Sequence, residues 1–396
     1  MHAGEIVFTG MERVVFGRPA AEVLAEATDR LGAKRVFILA GRTLNRETDA
    51  VRQIAEALGP RYAGVHDDMP AHSPRDAVVA CANKARDDGC DLLVSVGGGS
   101  TTDGGKAVTI CLEHDIREPD GLEPFRTVVD ETTGKRHFPQ YRAPRVRQIC
   151  VPTTLSGGEF NARAGVTEPR LRLKQAYIHP GIIPLVVIFD PAITVHTPEW
   201  LWLSSGIRAV DHAVETYCSI DRNAYTDSTA LQALRLLGRG LPAVKRDPGD
   251  LAARLDCQIG AWISMTAIVA GTRMGASHAS GTCWAAAPAC RMAIPPASCC
   301  RPCWRSMRRS MASARQRSAA RSARPASRPP KFSTASSQDS DCRGGCATSA
   351  SSATTCSASP RTACSTTGPS PIRGRSTLRK RSCRSWSQCT DACVAR

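Results

Sequence analysis

Residues 281–396 contain no Glu, His, Asn or Tyr, and they hold a single Leu (Leu378), a single Val (Val394) and a single Phe (Phe332). A chain so poor in large aliphatic side chains cannot offset its conformational entropy by burial, so the stretch is expected to be disordered. Its 12 cysteines, out of 18 in the whole sequence, lack any histidine partner. Cys300 and Cys303 form a CxxC with Cys342 and Cys346 as the nearest counterpart, but the irregular spacing argues against a zinc module. Interleaved aromatics, which an arm for single-stranded nucleic acid would stack on bases, are scarce as well. The chain also lacks any apolar run near the roughly 18–20 residues of a membrane span. Met1 leads into a charged segment instead of a signal peptide. These absences point to a cytoplasmic protein with neither membrane nor nucleic acid as partner.

Charge follows the same division. Residues 281–396 carry 20 of the 52 Lys+Arg and 3 of the 36 Asp+Glu, which leaves residues 1–280 with 32 basic against 33 acidic side chains. The formal net charge of +16 and the pI near 9.4 therefore belong to the tail and say nothing about the partners of the rest. The other cysteines (Cys81, Cys90, Cys111, Cys150, Cys218 and Cys257) are scattered in apolar or helical contexts, as in cytosolic proteins.

A chain of 396 residues suggests two domains, and residues 1–280 can bury a substantial core. Apolar runs at 35–40, 91–96, 147–151 and 184–189 read as buried strands. Amphipathic helices are expected at 20–31, stopped by Gly32, and at 73–88, opened by Ser73-Pro74. The alternation argues a parallel, doubly wound α/β sheet over residues 1–195. From residue 196 the pattern turns helical, with segments at 199–217, 224–237 and 251–270, while 133–143 reads as a polar connector.

The strand at 91–96 runs into Gly97-Gly98-Gly99-Ser100-Thr101-Thr102-Asp103-Gly104-Gly105-Lys106. Glycines there let a diphosphate approach main-chain N–H groups, and the following helix favours an anion at its positive end. Ser100, Thr101 and Thr102 are suitable caps for that helix. The alternative is a tight strand-to-helix turn that needs glycine for geometry alone. A second segment of nucleotide-loop type, Pro152-Thr153-Thr154-Leu155-Ser156-Gly157-Gly158-Glu159-Phe160, follows.

With these two segments the chain resembles the iron-containing (group III) alcohol dehydrogenases, a family that includes the maleylacetate reductases. Further matches, in family order, are Lys174 ahead of His179-Pro180, IFDPAIT at 188–194 and GIRAVDHAVE at 206–215. The resemblance implies an N-terminal dinucleotide-binding domain, an all-helical domain in the dehydroquinate synthase-like arrangement, and hydride transfer between NAD or NADP and an alcohol, aldehyde, ketone or keto acid. It implies that Gly97, Gly98, Gly99, Ser100, Asp103 and Lys106 surround the diphosphate, with Thr153, Thr154, Ser156 and Lys174 along the cofactor, and it implies a homodimer for an intact chain. Many members place an acidic residue after the second strand to bind the adenine ribose. Here Gly41 stands there, followed by Arg42, which tolerates a 2′-phosphate or is simply an exposed turn.

Metal-binding members use one Asp and three His, the first two one helical turn apart. His212 matches the first His and His278 the next, but Arg208 stands four residues before His212, and Asp211 is expected to point elsewhere on the helix. A guanidinium about 4 Å from a divalent cation would cost roughly 8 kcal/mol even at an effective dielectric of 20. Bound Fe2+ or Zn2+ in the usual geometry is therefore disfavoured. Either Arg208 supplies the positive charge itself or holds a substrate carboxylate, beside His212 and His278 as catalytic groups, or it pairs with a local acid.

No histidine follows His278, so the last family ligand is missing. Read with each codon's third base joined to the next codon's first two, 281–286 is compatible with His-Val-Leu-Gly-Gly and 289–295 with Val-Pro-His-Gly-His-Thr. The same offset turns 367–376 into a family-like C-terminal motif. One lost base near residue 279, in the gene or its reading, accounts for all three. The reading is thus an alcohol dehydrogenase of the iron-containing type. The alternatives are a maleylacetate reductase, from whose pattern GGGSTTDGGK and PTTLSGGEF differ, and a catalytically dead nucleotide-binding fragment with residues 196–280 as a truncated helical domain.

Overall fold

Apolar runs without alternation build strands covered on both faces. In the computed structural model, residues 9–275 except 131, 132 and 134 are described, together with Ile6 and Ser277. The chain runs β1 (Arg13–Phe16), α1 (Ala20–Leu31), β2 (Val36–Ala40), α2 (Arg42–Glu47), α3 (Ala50–Leu58), β3 (Tyr62–His66), α4 (Arg75–Asp87), β4 (Leu92–Gly97) and α5 (Gly99–Glu113). Then follow β5 (Val128–Val129), β6 (Arg136–His137), β7 (Arg147–Pro152), β8 (Arg163–Glu168), β9 (Leu173–Ile178), β10 (Val186–Phe189), α6 (Glu199–Cys218), α7 (Ala224–Arg246) and α8 (Leu251–Val269).

Six strands form one parallel sheet in the order β1-β10-β7-β4-β2-β3. Every residue of β2 and β4 is buried. Val36, Ile38 and Ala40 pack with α1 and α3, whereas Phe37 and Leu39 pack with α4 and α5. The chain steps outward from β2 to β3 and then returns past β2 to β4. The sheet order therefore reverses between β2 and β4, and a crevice opens at their carboxyl ends.

Most expected elements are found within a residue or two. Gly32 ends α1 in the left-handed conformation (φ 66°), its N–H turned back to Thr28 and Asp29 carbonyls. Three readings are corrected. Ser73 does not cap α4: it is itself left-handed (φ 49°), and its hydroxyl donates to the Ser100 carbonyl at 2.7 Å. Helix α7 does not stop near residue 237 but runs on through Gly238 and Gly240 to Arg246. Gly240 serves close helix crossing there, since a Cβ would lie 2.7 Å from Cys257 Sγ of α8. The connector at 133–143 contains β6, paired antiparallel with β5.

Helices α6, α7 and α8 share a core of Trp202, Ala209, Leu237, Leu241 and Cys257, which also takes in Leu155. Phe160 and Phe189 meet Trp262 of α8, with the Phe160 and Trp262 rings stacked at 5.9 Å. The six cysteines of this part are free thiols. No helix among the described residues is long and apolar enough to cross a membrane. Residues 281–396, including the CxxC at Cys300 and Cys303, lie outside the described residues.

Candidate functional site at the sheet crevice and on helix α6

The crevice is closed by two interlocked loops. The Gly41 N–H donates to Val96 O at 2.9 Å, which ties the turn after β2 to the end of β4. A Cβ on Gly97 would stand 2.6 Å from Thr101 Oγ1 and 3.4 Å from Gly41 N. On Gly98 it would meet Thr154 Cγ2 at 3.0 Å, and on Gly99 it would meet Ser156 Oγ at 3.0 Å. Gly98 and Gly99 thus admit the second loop, while Gly97 makes room for Thr101 and the Gly41 turn; the second loop is bonded to the first through Thr153 N to Gly97 O at 2.9 Å. Thr154 Oγ1 and Ser156 Oγ are 3.1 Å apart.

Helix α5 begins at Gly99 with Gly98 as its N-cap and no capping side chain. Ser100, Thr101 and Thr102, expected as caps, instead lie within the first turn; Ser100 Oγ accepts the His72 N–H at 2.9 Å. Helix-terminal N–H groups left without a side-chain cap are donors for an anion.

Two residues that the resemblance assigns to the diphosphate face elsewhere. Lys106 is fully buried, and its ammonium donates to the carbonyls of Gly158 (2.5 Å), Asn161 (2.8 Å) and Arg163 (2.9 Å). It pins the second loop from behind, and burial pulls its pKa down. The Asp103 carboxylate accepts the Gly165 N–H at 3.2 Å and lies 3.7 Å from Lys174 Nζ on β9. An acid and a base so paired hold the β8–β9 hairpin to α5.

At the ribose end, Gly41 and Arg42 leave β2 as expected, but carboxylates arrive from a neighbour. The parallel register Leu39↔His66 brings Asp67 and Asp68 alongside. Arg42 pairs with Asp68, and Arg46 and Asn45 bond Asp67 at 2.7 and 2.9 Å. The Arg46 hydrogen bond is the main cause holding the Asp67 carboxyl far below the usual range. Neither acid is marked by a motif, and both come to the ribose end through the pairing of β3 with β2.

On α6 the site is built from Arg208, Asp211, His212 and Glu215. His212 is 3% exposed. Asp211, expected to point away, comes within 3.6 Å of Arg208 Nη1, because residues three apart share a helix face. Burial lowers the Arg208 pKa, opposed by Asp211 and Glu215. Burial likewise raises that of Asp211, opposed by a Ser277 hydrogen bond and by Arg208. Glu215 Oε1 accepts the Ser277 N–H at 2.8 Å. Glu215 lies on the face of Asp211 and His212 by the three- and four-residue spacing of the helix, a signal that would have found it, whereas no periodicity marks Ser277. His278 lies outside the described residues. The Leu155 N–H donates to Ser205 Oγ of α6 at 3.1 Å, so the second loop ends about one helical turn from Arg208.

This geometry can be compared with known proteins. A family model described as iron-containing alcohol dehydrogenase matches residues 11–191, and the model of that family's C-terminal part matches residues 202–317, past Gly281. A maleylacetate reductase from Rhizobium sp. strain MTP-10005 is 32% identical over 260 residues, 66% of this chain and 64% of that protein. Its crystal structure aligns at 30% identity over 70% of this chain and 68% of that one, with a TM-score of 0.56. The chain belongs to the iron-containing alcohol dehydrogenase family. A maleylacetate reductase from Agrobacterium tumefaciens gives 28% identity, 75% and 74% coverage and a TM-score of 0.61. For the fold alone, a sulfoacetaldehyde reductase from Bifidobacterium kashiwanohense, solved in complex with NAD+, is 24% identical with 74% and 73% coverage and a TM-score of 0.63. The chain spans just under two thirds (64%) of the length of the first two curated relatives it matches.

The family's iron fits this member poorly. Arg208 stands where an acidic ligand would face His212, and Asp211 is engaged with that arginine.

Proposed function

We propose that this member of the iron-containing alcohol dehydrogenase family is an NAD(P)-dependent oxidoreductase acting on a small alcohol or carbonyl compound. The observation that carries the reading is the pair of interlocked loops at the β2/β4 crevice, the second of them bonded to α6 beside Arg208. The Gly97–Gly99 backbone and the start of α5 would hold a diphosphate, and Thr153, Thr154 and Ser156 would lie along the nucleotide. Bound NAD(P)H would supply a hydride. His212 would hold or move the proton on the substrate oxygen, with His278 as a second such group. Arg208 would place its positive charge where negative charge develops on that oxygen, or against a substrate carboxylate.

The second reading is a maleylacetate reductase. The relatives of that name and the cationic Arg208, suited to a dicarboxylate, favour it. A third, the catalytically dead nucleotide-binding fragment, rests on the codon offset after residue 279. The finer reading of setting is a cytoplasmic homodimer with residues 1–195 and 196–280 as its two domains. The test compares this chain with its base-restored counterpart for NADH and NADPH oxidation with maleylacetate and with simple aldehydes. Turnover only in the restored chain supports the fragment reading, and equal turnover in both refutes it. Absence of turnover and of nucleotide binding in both would overturn the oxidoreductase reading.

A further inference from the structure

Behind the second loop, where the segment after β10 meets the starts of α6 and α8, lies a cavity of about 270 Å3 lined by His196, Glu199, Trp202, Pro248 and Arg254 among others. Arg254 is 2% exposed, yet among the described residues it makes no ion pair with a carboxylate. Its Nε donates to Pro248 O at 2.7 Å and its Nη1 to Thr194 O at 2.9 Å. Its guanidinium lies 4.8 Å from the centre of the Trp202 ring. Nη1 also reaches Thr194 Oγ1 at 3.3 Å. Buried arginines are ordinarily paired with an acid, so a cation held by neutral carbonyls, a hydroxyl and an aromatic face is short of counter-charge.

A second donor is unsatisfied at the same place. Trp202 is 1% exposed and lines the cavity, and among the described residues its indole Nε1–H has no acceptor. Such a buried donor costs free energy unless a partner accepts from it. Helix α6 also opens here on Pro198 without a side-chain cap, so the positive end of a 20-residue helix adds to the field. The acid at the rim, Glu199, is exposed and ion-paired with Lys245 at 3.2 Å.

We propose that this cavity binds a small oxyanion, of the size and charge of phosphate, between Arg254 and the Trp202 indole N–H. The site is separate from the nucleotide crevice. It touches the same framework, however, because Thr197 on its wall donates through Oγ1 to the Thr153 carbonyl at 2.8 Å. An occupant would brace the second loop against α6 and α8.

Calorimetric titration of the full chain with inorganic phosphate, against chloride at equal ionic strength, tests this in wild type, Trp202→Phe and Arg254→Gln. Saturable phosphate binding is expected, weakened about tenfold by Trp202→Phe, the loss of one hydrogen bond to a charged acceptor. Arg254→Gln should abolish it. Should Arg254→Gln fail to fold, Trp202→Phe decides alone, since it removes the N–H and keeps an aromatic ring. Binding equal in chloride, no saturation, or an affinity unchanged by Trp202→Phe, as expected of phosphate held at Gly97–Gly99, would overturn the proposal.

Discussion

The two halves of the candidate site are built on different principles. At the crevice, backbone does the positioning: glycines, main-chain hydrogen bonds and the buried Lys106 ammonium fix the loops whatever ligand arrives. On α6 the proposed chemistry would rest on side chains, His212 and Arg208 above all, and Arg208, paired with Asp211, carries the opposite sign of charge from a metal ligand. On the proposed reading, the nucleotide crevice is kept while the reacting end changes character through a single position.

That contrast is sharpest at Arg208. In the base-restored chain, Arg208→Asp should lower kcat roughly 10^3-fold if the guanidinium supplies the charge, as removal of an oxyanion donor does. Metal analysis and steady-state kinetics read the result; full activity with stoichiometric iron would erase the distinction between the halves. The crevice should respond through binding instead. Gly98→Val forces a branched side chain into the space 3.0 Å from Thr154 Cγ2, and nucleotide affinity measured by NADH fluorescence should fall on the order of 100-fold, about 2.7 kcal/mol.

A smaller effect tests the support beneath the crevice. Glu159 is 1% exposed, and burial pushes its carboxyl up to about 7, against an ordinary 4.5, with Lys106 opposing. An acid whose folded pKa is raised lends stability below its unfolded pKa and loses it as pH rises through the folded value. Glu159→Gln should therefore gain on wild type between pH 5 and pH 8, by about 2 kcal/mol or less. Thermal unfolding at both pH values checks this, and a difference independent of pH would contradict the buried-acid reading. The smallest change is at the ribose end. Asp68→Ala frees Arg42 from an exposed ion pair and should shift preference toward NADPH over NADH by roughly two- to fivefold in KM ratios.

The sheet was largely legible because its central strands are uninterrupted apolar runs, and the crevice because glycine clusters follow a strand. What stayed hidden depends on partners distant in sequence. Lys106 sits in the loop motif, but its direction is set by carbonyls about 50 residues away, at Gly158 and Asn161. Asp67 and Asp68 reach the ribose end only through the β2–β3 register. The contact of Asp211 with Arg208 follows from their three-residue spacing on one helix face. Helix α7 continues past residue 237 to a partner that local sequence does not reveal: Gly240 packs against Cys257 of α8.

The most direct test of the crevice as a nicotinamide-nucleotide site is equilibrium binding of NADH and NADPH to this chain and to its Gly98→Val variant. Saturable, one-to-one binding that the substitution removes is the expected result. Absence of binding in the unaltered chain, or equal binding by both, would contradict it.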